Sequence, residues 1–329
     1  NHAAFEGRAS FQFVSTMDPY VKWFVIAVLI LVIAIVAIAL WAWTPDIPRT
    51  ILETKYANQE SRFVEANGVR LHIRDTDTKN APAVLLLHGF GASLHTWDEW
   101  VATLKNSYRV VRIDLPGAGL TGPDPTGDYR DERTLAILNQ LLESLGISKT
   151  SIVGNSVGGR IAWRFAAQFP TRVEKLVLVS PDGFASPGFE YGKAPQVSGV
   201  FRLVRYALPK SLLRMNLAPA YANPEALNAE RITRYHSLLL LPGQRDAMLD
   251  RMAQTILTDP VPQLQKITAP TLLLWGEQDA LIPIVNAQDY LRALPNAKLV
   301  TLTGVGHVPQ EEAPAMSLAP LLAFLANNS

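Results

Sequence analysis

The chain of 329 residues contains no cysteine. That absence excludes disulfides, thiolate metal sites and a cysteine nucleophile. Net charge is also lacking: 30 basic residues stand against 29 acidic ones, for a formal charge of +1. No basic field is present to attract nucleic acid, so no nucleic-acid partner is expected. No HExxH or EF-hand pattern occurs, so no metal and no cofactor are expected. Internal repeats and low-complexity tracts are missing too. Apolar residues, in contrast, make up 48% of the chain, high for a soluble protein and a first sign of membrane contact.

Charge is absent from one segment in particular, Trp23 to Trp43. At about 21 residues, roughly 31 Å as a helix, it matches a hydrocarbon core of about 30 Å. Trp23 lies at one end and Trp41 and Trp43 at the other, where interfacial aromatics belong, and Pro45 and Pro48 stop the helix. The run exceeds the apolar part of a signal peptide, so a single-pass anchor is expected over residues 17–44. The first methionine is Met17, and residues 1–16 are expected to be a non-native or disordered leader. The basic residues flanking the run give only a weak orientation bias. A short inside tail with the bulk exported, on the periplasmic side of a bacterial cytoplasmic membrane, is the favoured topology. Small residues Ala27, Ala34, Ala37 and Ala39 offer a surface for a homodimer through this helix, although no GxxxG occurs. In the juxtamembrane segment 45–60, Ile47, Ile51, Leu52 and Tyr56 predict one apolar face lying at the interface.

Beyond residue 60 the pattern changes. Asn67-Gly68 between two alternating runs predicts a hairpin over 61–76. Apolar strands are then expected at Ala83–Leu87, Arg109–Leu115, Ser151–Val153, Lys175–Val179, Thr271–Trp275 and Lys298–Leu302. Helical stretches fall near 97–105, 130–145, 157–168, 284–294 and 311–327 between and after them. Such alternation predicts a mostly parallel sheet with helices on both faces, with its site at the carboxyl ends of the strands. Residues 184–257 break the alternation with helical patches around 198–208, 211–217 and 224–251. They are expected to form a cap inserted between core parts 61–183 and 258–329.

One motif outweighs the rest. Gly154-Asn155-Ser156-Val157-Gly158-Gly159 fits G-x-S-x-G between a strand and a helix. A serine on so tight a turn projects its hydroxyl from the sheet edge, and the flanking glycines remove side chains that would collide across the turn. A serine needs a base. Of six histidines, only His307, in Gly304-Val305-Gly306-His307, follows the last strand in a Gly-rich loop. The acid is expected after a late strand: Asp279 is favoured, Asp182 is the alternative and Glu277 a third choice. The backbone N–H groups of Val157 and of Phe90, in His88-Gly89-Phe90-Gly91, are the expected oxyanion donors. Gly117-Ala118-Gly119-Leu120-Thr121-Gly122 matches GxGxxG, but Pro123 and Pro125 follow, so no helix opens there to hold a dinucleotide.

Together with Asp114-Leu115-Pro116-Gly117 and Gly276-Glu277-Gln278-Asp279, these motifs resemble the α/β-hydrolase superfamily. The resemblance covers roughly residues 61–183 and 258–329. It implies an α/β-hydrolase fold in which Ser156, Asp279 and His307 form a triad in the order nucleophile, acid, base. The layout of one N-terminal helix, core and cap is similar to membrane-anchored monoacylglycerol lipases and the bacterial phospholipase A group of the PlaF type. That likeness implies acyl esters of lipids as substrates: phospholipid, lysophospholipid or monoacylglycerol. The alternatives are a small-ester carboxylesterase, a carbon–carbon bond hydrolase of the meta-cleavage type and a non-catalytic hydrolase-like binding protein. Meta-cleavage enzymes commonly carry Gly-Pro-Gly after the first His-Gly and Trp after the catalytic His, where this chain has Phe90-Gly91 and Val308. Large apolar residues of the cap, among them Phe184, Phe189, Tyr191, Phe201, Leu203, Tyr206, Leu212, Leu213, Met215 and Leu238–Leu241, are expected to pack it or to wall an acyl tunnel. Arg202, Arg205, Lys210, Arg214, Arg231 and Arg234 give it a basic fringe.

Overall fold

A computed structural model describes residues 18–78, 80–185 and 190–327. The expected leader, Met17 and Phe189 lie outside the described residues. By its internal contacts the chain divides into two units, Asn1–Thr44 with Tyr206–Pro209, and Pro45–Arg205 with Lys210–Ser329.

The first unit contains helix α1, Pro19–Ala42. It starts a turn earlier than the uncharged run because Asp18 caps it, accepting from the Tyr20 N–H at 2.8 Å, and Pro19 supplies a preset φ at the first position. None of its residues is buried, and it is long and apolar enough to cross a membrane. After the helix, Trp43 stacks on Tyr206 with ring centroids 6.2 Å apart. The Thr44 N–H donates to the Tyr206 carbonyl at 2.9 Å, and the Leu208 N–H donates to Thr44 Oγ1 at 3.0 Å.

The second unit opens on α2, Arg49–Tyr56. Its sheet holds eight strands: β1 Ser61–Ala66, β2 Val69–Asp75, β3 Ala83–Leu87, β4 Arg109–Ile113, β5 Thr150–Asn155, β6 Val173–Val179, β7 Thr271–Gly276 and β8 Ala297–Leu302. Their order is β1-β2-β4-β3-β5-β6-β7-β8. β1 and β2 form the expected hairpin, with Asn67 and Gly68 at φ 48° and 77°, the backbone an Asn-Gly turn favours. β2 also runs antiparallel to β4, and the strands from β4 to β8 are parallel to their neighbours. The strand order reverses at β3, so β3 and β5 flank the switch point where a crevice opens.

Helices α3 Asp98–Leu104, α4 Asp131–Ser144 and α5 Val157–Gln168 follow β3, β4 and β5. Between β6 and β7 come α6 Lys210–Leu217, α7 Ala229–Leu239, α8 Gln244–Gln254 and α9 Val261–Leu264. After β7 come α10 Val285–Ala293, α11 Pro309–Glu312 and α12 Pro314–Ala326. Alternate strand residues feed two cores. Leu85, Leu87, Ile152, Leu178 and Trp275 pack with α4, α5 and α10, while Val84, Leu86, Val153, Val177 and Leu274 pack with α3 and α12. Burial of both faces is why these strands read as continuous apolar runs.

Three expectations need correction. β8 is an edge strand, half-exposed rather than buried, because only β7 pairs with it. The patch 224–251 is two helices, broken where Gly243 takes φ 77°. The apolar face of 45–60 is not free for an interface: Leu52 is buried against Leu120, Leu238 and Leu241, with Ile47 and Tyr56 beside it, and Ile51 alone of the four is exposed. Burying one such leucine contributes about 2 kcal/mol, more than a surface site offers.

Candidate active site

β5 ends at Asn155, and the chain turns through Ser156 at φ 55°, ψ −121° before α5 begins at Val157. A non-glycine residue at positive φ is strained and persists only when its surroundings hold it. Here the Ser156 N–H donates to the Val179 carbonyl at 3.0 Å, and the Ser156 carbonyl accepts from the Asp182 N–H at 3.0 Å. The glycines are required by contact. A Cβ on Gly154 would lie 2.7 Å from the Gly159 nitrogen, and one on Gly158 2.7 Å from the Leu87 carbonyl carbon.

His307 follows β8, as expected, and Asp279 follows β7. The two are joined by a 2.8 Å hydrogen bond from His307 Nδ1 to Asp279 Oδ2. A carboxylate only accepts, so Nδ1 carries the proton, and in the neutral ring Nε2 is the nitrogen free to accept one. The other carboxylate oxygen accepts the Leu281 and Ile282 N–H groups, both at 2.9 Å, which fixes the acid on its turn. Both side chains are buried.

Asp182 does not meet His307. Its carboxylate accepts from Arg160 Nη1 at 2.6 Å, and Arg160 is buried against Asp131 as well. Burial opposes the Arg160 charge, but Asp182 and Asp131 outweigh it and raise its pKa. Glu277 is exposed.

Ser156, His307, Phe90, Val157 and Asp182 line one cavity of about 490 Å³. The rest of the wall is mostly apolar: Pro195, Met252, Ala280, Leu281, Ile282 and Pro283 among others. None of the described residues of 184–257 expected to wall an acyl tunnel lines this cavity, although Leu238 and Leu239 line a small neighbouring one with Phe90 and Val157. Phe184 packs edge-on against Tyr290 at 4.8 Å, Leu213 and Leu238–Leu241 are buried in packing, and Leu203, Leu212 and Met215 are exposed. The basic fringe is likewise thinner than expected. Arg234 lies 3.4 Å from buried Glu311, Arg231 lies 3.8 Å from it, and Arg205 pairs with Asp246 at 3.0 Å.

Two other histidines, His88 and His72, hold scaffolding. His88 bonds through Nδ1 to the Gly89 carbonyl at 2.8 Å, and its Nε2 accepts from the Leu115 N–H at 3.0 Å. That bracing fixes the loop carrying Phe90, and burial keeps His88 neutral by lowering its pKa. His72 bonds Asp114 at 2.7 Å and Ser61 at 2.9 Å. Asp114 also accepts the Leu94 and Leu120 N–H groups at 2.7 and 2.8 Å. Burial alone would raise its pKa, but the hydrogen bond and charge of His72 prevail and hold it well below the usual carboxylate range. The GxGxxG segment is a turn around this carboxylate, since a Cβ on Gly119 would overlap it.

Four supports of the site escaped the sequence reading. The Asn155 amide donates to the carbonyls of Val179 and His307, both at 3.1 Å, which ties the Ser156 turn to the histidine loop. Gln310 donates to Asn155 Oδ1 at 3.2 Å. The His307 N–H donates to the Ala220 carbonyl at 2.8 Å, and the Gly306 N–H to Glu312 at 2.8 Å. Only Asn155 had a signal, its place beside Ser156.

Residues 82–314 match the family model described as the alpha/beta hydrolase fold. The chain belongs to this family. Among its relatives, Lipase 3 of Moraxella sp. (strain TA144) is 27% identical over 75% of this chain and 78% of its own length. A 2-hydroxy-6-oxononadienedioate/2-hydroxy-6-oxononatrienedioate hydrolase of Burkholderia vietnamiensis is 30% identical over 80% of this α/β hydrolase and 94% of its own length. A crystal structure described as a membrane phospholipase A, a bacterial virulence factor, superposes with TM-score 0.70 at 24% identity, covering 92% of this α/β hydrolase and 98% of that chain. The relatives thus include both a lipase and a hydrolase of 2-hydroxy-6-oxononadienedioate, and hydrolysis is the activity they share.

Proposed function

We propose that this α/β hydrolase cleaves carboxylic esters of lipids through an acyl-enzyme on Ser156. The observation that carries the reading is that His307, hydrogen-bonded to Asp279, lines the same mostly apolar cavity as Ser156. In this reading Ser156 Oγ attacks the ester carbonyl carbon while its proton passes to His307 Nε2. Asp279 stabilises the imidazolium, and the N–H groups of Phe90 and Val157 receive the oxyanion. Collapse breaks the bond to the alcohol oxygen, which leaves with the proton from His307. Water then gives a proton to His307, attacks the acyl carbon and releases the carboxylic acid and free Ser156. Each methylene seated in the cavity adds about 0.8 kcal/mol of burial, roughly four-fold in kcat/KM. The test is kcat/KM on esters from acetyl to palmitoyl and on phospholipids in micelles. A rise towards medium or long chains, abolished in Ser156→Ala, is expected; a steady fall beyond acetate without lipid turnover leaves a small-ester esterase.

A carbon–carbon bond hydrolase is the second reading, favoured by the Burkholderia relative. Rapid cleavage of a vinylogous 1,5-diketone with no ester turnover would establish it instead.

We also infer that α1 anchors the enzyme in a membrane, with the hydrolase unit outside the cytoplasm. Its length, its hydropathy and the aromatics at both ends support the anchor. A signal sequence would meet the same length and hydropathy test, so the assay is retention. The full chain should stay with membranes through high-salt and carbonate washes, and a C-terminal reporter active only outside the cytoplasm should be active.

A further inference from the structure

Residues Val200–Leu217 bring together two features that packing within the protein leaves unused. The first is exposed apolar surface: Val200 is 79% exposed, Met215 71%, Leu203 56% and Leu212 43%. Leu212 and Met215 are three residues apart on α6 and so share a face, while Leu213 turns inward. The second is charge. The stretch carries Arg202, Arg205, Lys210 and Arg214 and no aspartate or glutamate. Among the described residues only Arg205 meets a carboxylate, Asp246. Arg202 and Arg214 bond backbone carbonyls and Lys210 the Thr233 hydroxyl, which leaves their charge uncompensated. Exposed leucine, methionine and valine beside uncompensated cations is the composition of a surface that lies in the headgroup zone of an anionic leaflet.

The chain itself says which surface. Residues 200–205 run directly into Tyr206–Pro209, and α6 leaves it at Lys210. Tyr206–Pro209 is the segment bonded to Thr44 and stacked on Trp43, at the end of the apolar helix. One exposed stretch therefore ends at the residue before Tyr206 and the other begins four residues after it, on either side of the aromatic pair that marks one boundary of the helix.

We propose that Val200–Arg205 and α6 dock into the headgroup region of the leaflet at the Trp43 end of α1, through Val200, Leu203, Leu212 and Met215. The docking rests on the anchor reading above. It gives the enzyme a second, interfacial attachment, so that the cap is held on the bilayer rather than swinging on a tether.

Because the chain has no cysteine, single-cysteine spin labels are clean reporters. The full chain carrying Leu203→Cys or Met215→Cys, reconstituted in phosphatidylcholine–phosphatidylglycerol nanodiscs, should collide more with lipid-soluble oxygen than with a water-soluble nickel chelate. Lys149→Cys, exposed just before the amino end of β5, should show the reverse. Labels at 203 and 215 as water-accessible as the label at 149, in protein that resists carbonate, would overturn the docking and leave the anchor standing. Release by carbonate would overturn the anchor and the docking with it. As a second measurement, Leu203→Glu/Met215→Glu should lower turnover of bilayer lipid on the order of ten-fold, leaving kcat/KM on a soluble short ester unchanged. Equal losses on both substrates, or none on bilayer lipid, would count against it.

Discussion

Gly276 ends β7 three residues before Asp279, with an ordinary backbone, so nothing in its conformation demands glycine. The demand comes from the histidine loop crossing it. A Cβ here would lie 2.7 Å from the Val305 carbonyl carbon and closer still to the carbonyl oxygens of Val305 and Gly306, where real Cβ atoms keep at least 3.0 Å. These are backbone atoms and cannot rotate away. In Gly276→Ala the loop 304–307 must therefore retreat by about 1 Å, and with it His307, whose own N–H is fastened to Ala220. Overpacking of this kind costs about 1–3 kcal/mol of stability, which a domain of this size survives. The larger effect falls on chemistry. On the proposed mechanism, a displacement of about 1 Å between His307 and Ser156 costs on the order of 100-fold in kcat. The assay is turnover of the substrate that the proposed-function test identifies, with circular dichroism and urea unfolding run in parallel. Alanine at 276 with near wild-type kcat and an unchanged unfolding midpoint would refute the claim that loop contact, rather than turn geometry, places the base.

Further outcomes follow from the same geometry. His307→Ala and Asp279→Asn should each lower kcat on the order of 10⁴-fold, because the base fails without its tautomer. Asp182→Asn should instead act on folding, costing up to about 3 kcal/mol by weakening the pairing of buried Arg160, with kcat within an order of magnitude of wild type. An inactive Asp182→Asn beside an active Asp279→Asn would exchange their roles. Burial, aided by Arg74, lowers the His95 pKa from 6.5 to about 4, and His88 is lowered by burial as well. The unfolded chain then binds more protons, so stability is full above pH 6.5 and declines as pH falls towards 4, by about 3 kcal/mol for His95. Urea midpoints at pH 7.5 and 4.5 test this, and an unchanged difference in His95→Gln would remove His95 as its source. Leu52→Ala should cost about 3 kcal/mol, since it empties the contact of α2 with Leu120, Leu238 and Leu241. A loss under 0.5 kcal/mol would mean that α2 is not part of the core.

The sequence by itself determined whatever is local or periodic. Two-sided burial writes strands as apolar runs, a hairpin needs Asn-Gly, and a serine on a strained turn needs small neighbours. These signals lie within a few residues of one another, so the parallel sheet, the apolar helix and the elbow at Ser156 were legible directly. Asp279 and His307 were singled out by their places after late strands, but that Asp279 rather than Asp182 is the carboxylate bonded to His307 was visible only in the tertiary structure. Both acids end strands, and only the three-dimensional arrangement turns one towards His307 and the other towards Arg160. The same holds for what lies between elements distant in the chain. An amphipathic stretch reads alike whether its apolar face meets a bilayer or a core, so Leu52, Leu238 and Leu241 were ambiguous until their neighbours were known. Asn155, Gln310, Glu312 and the carbonyl of Ala220 support the histidine loop through contacts spanning up to 155 residues, and no local pattern records a partner that far away.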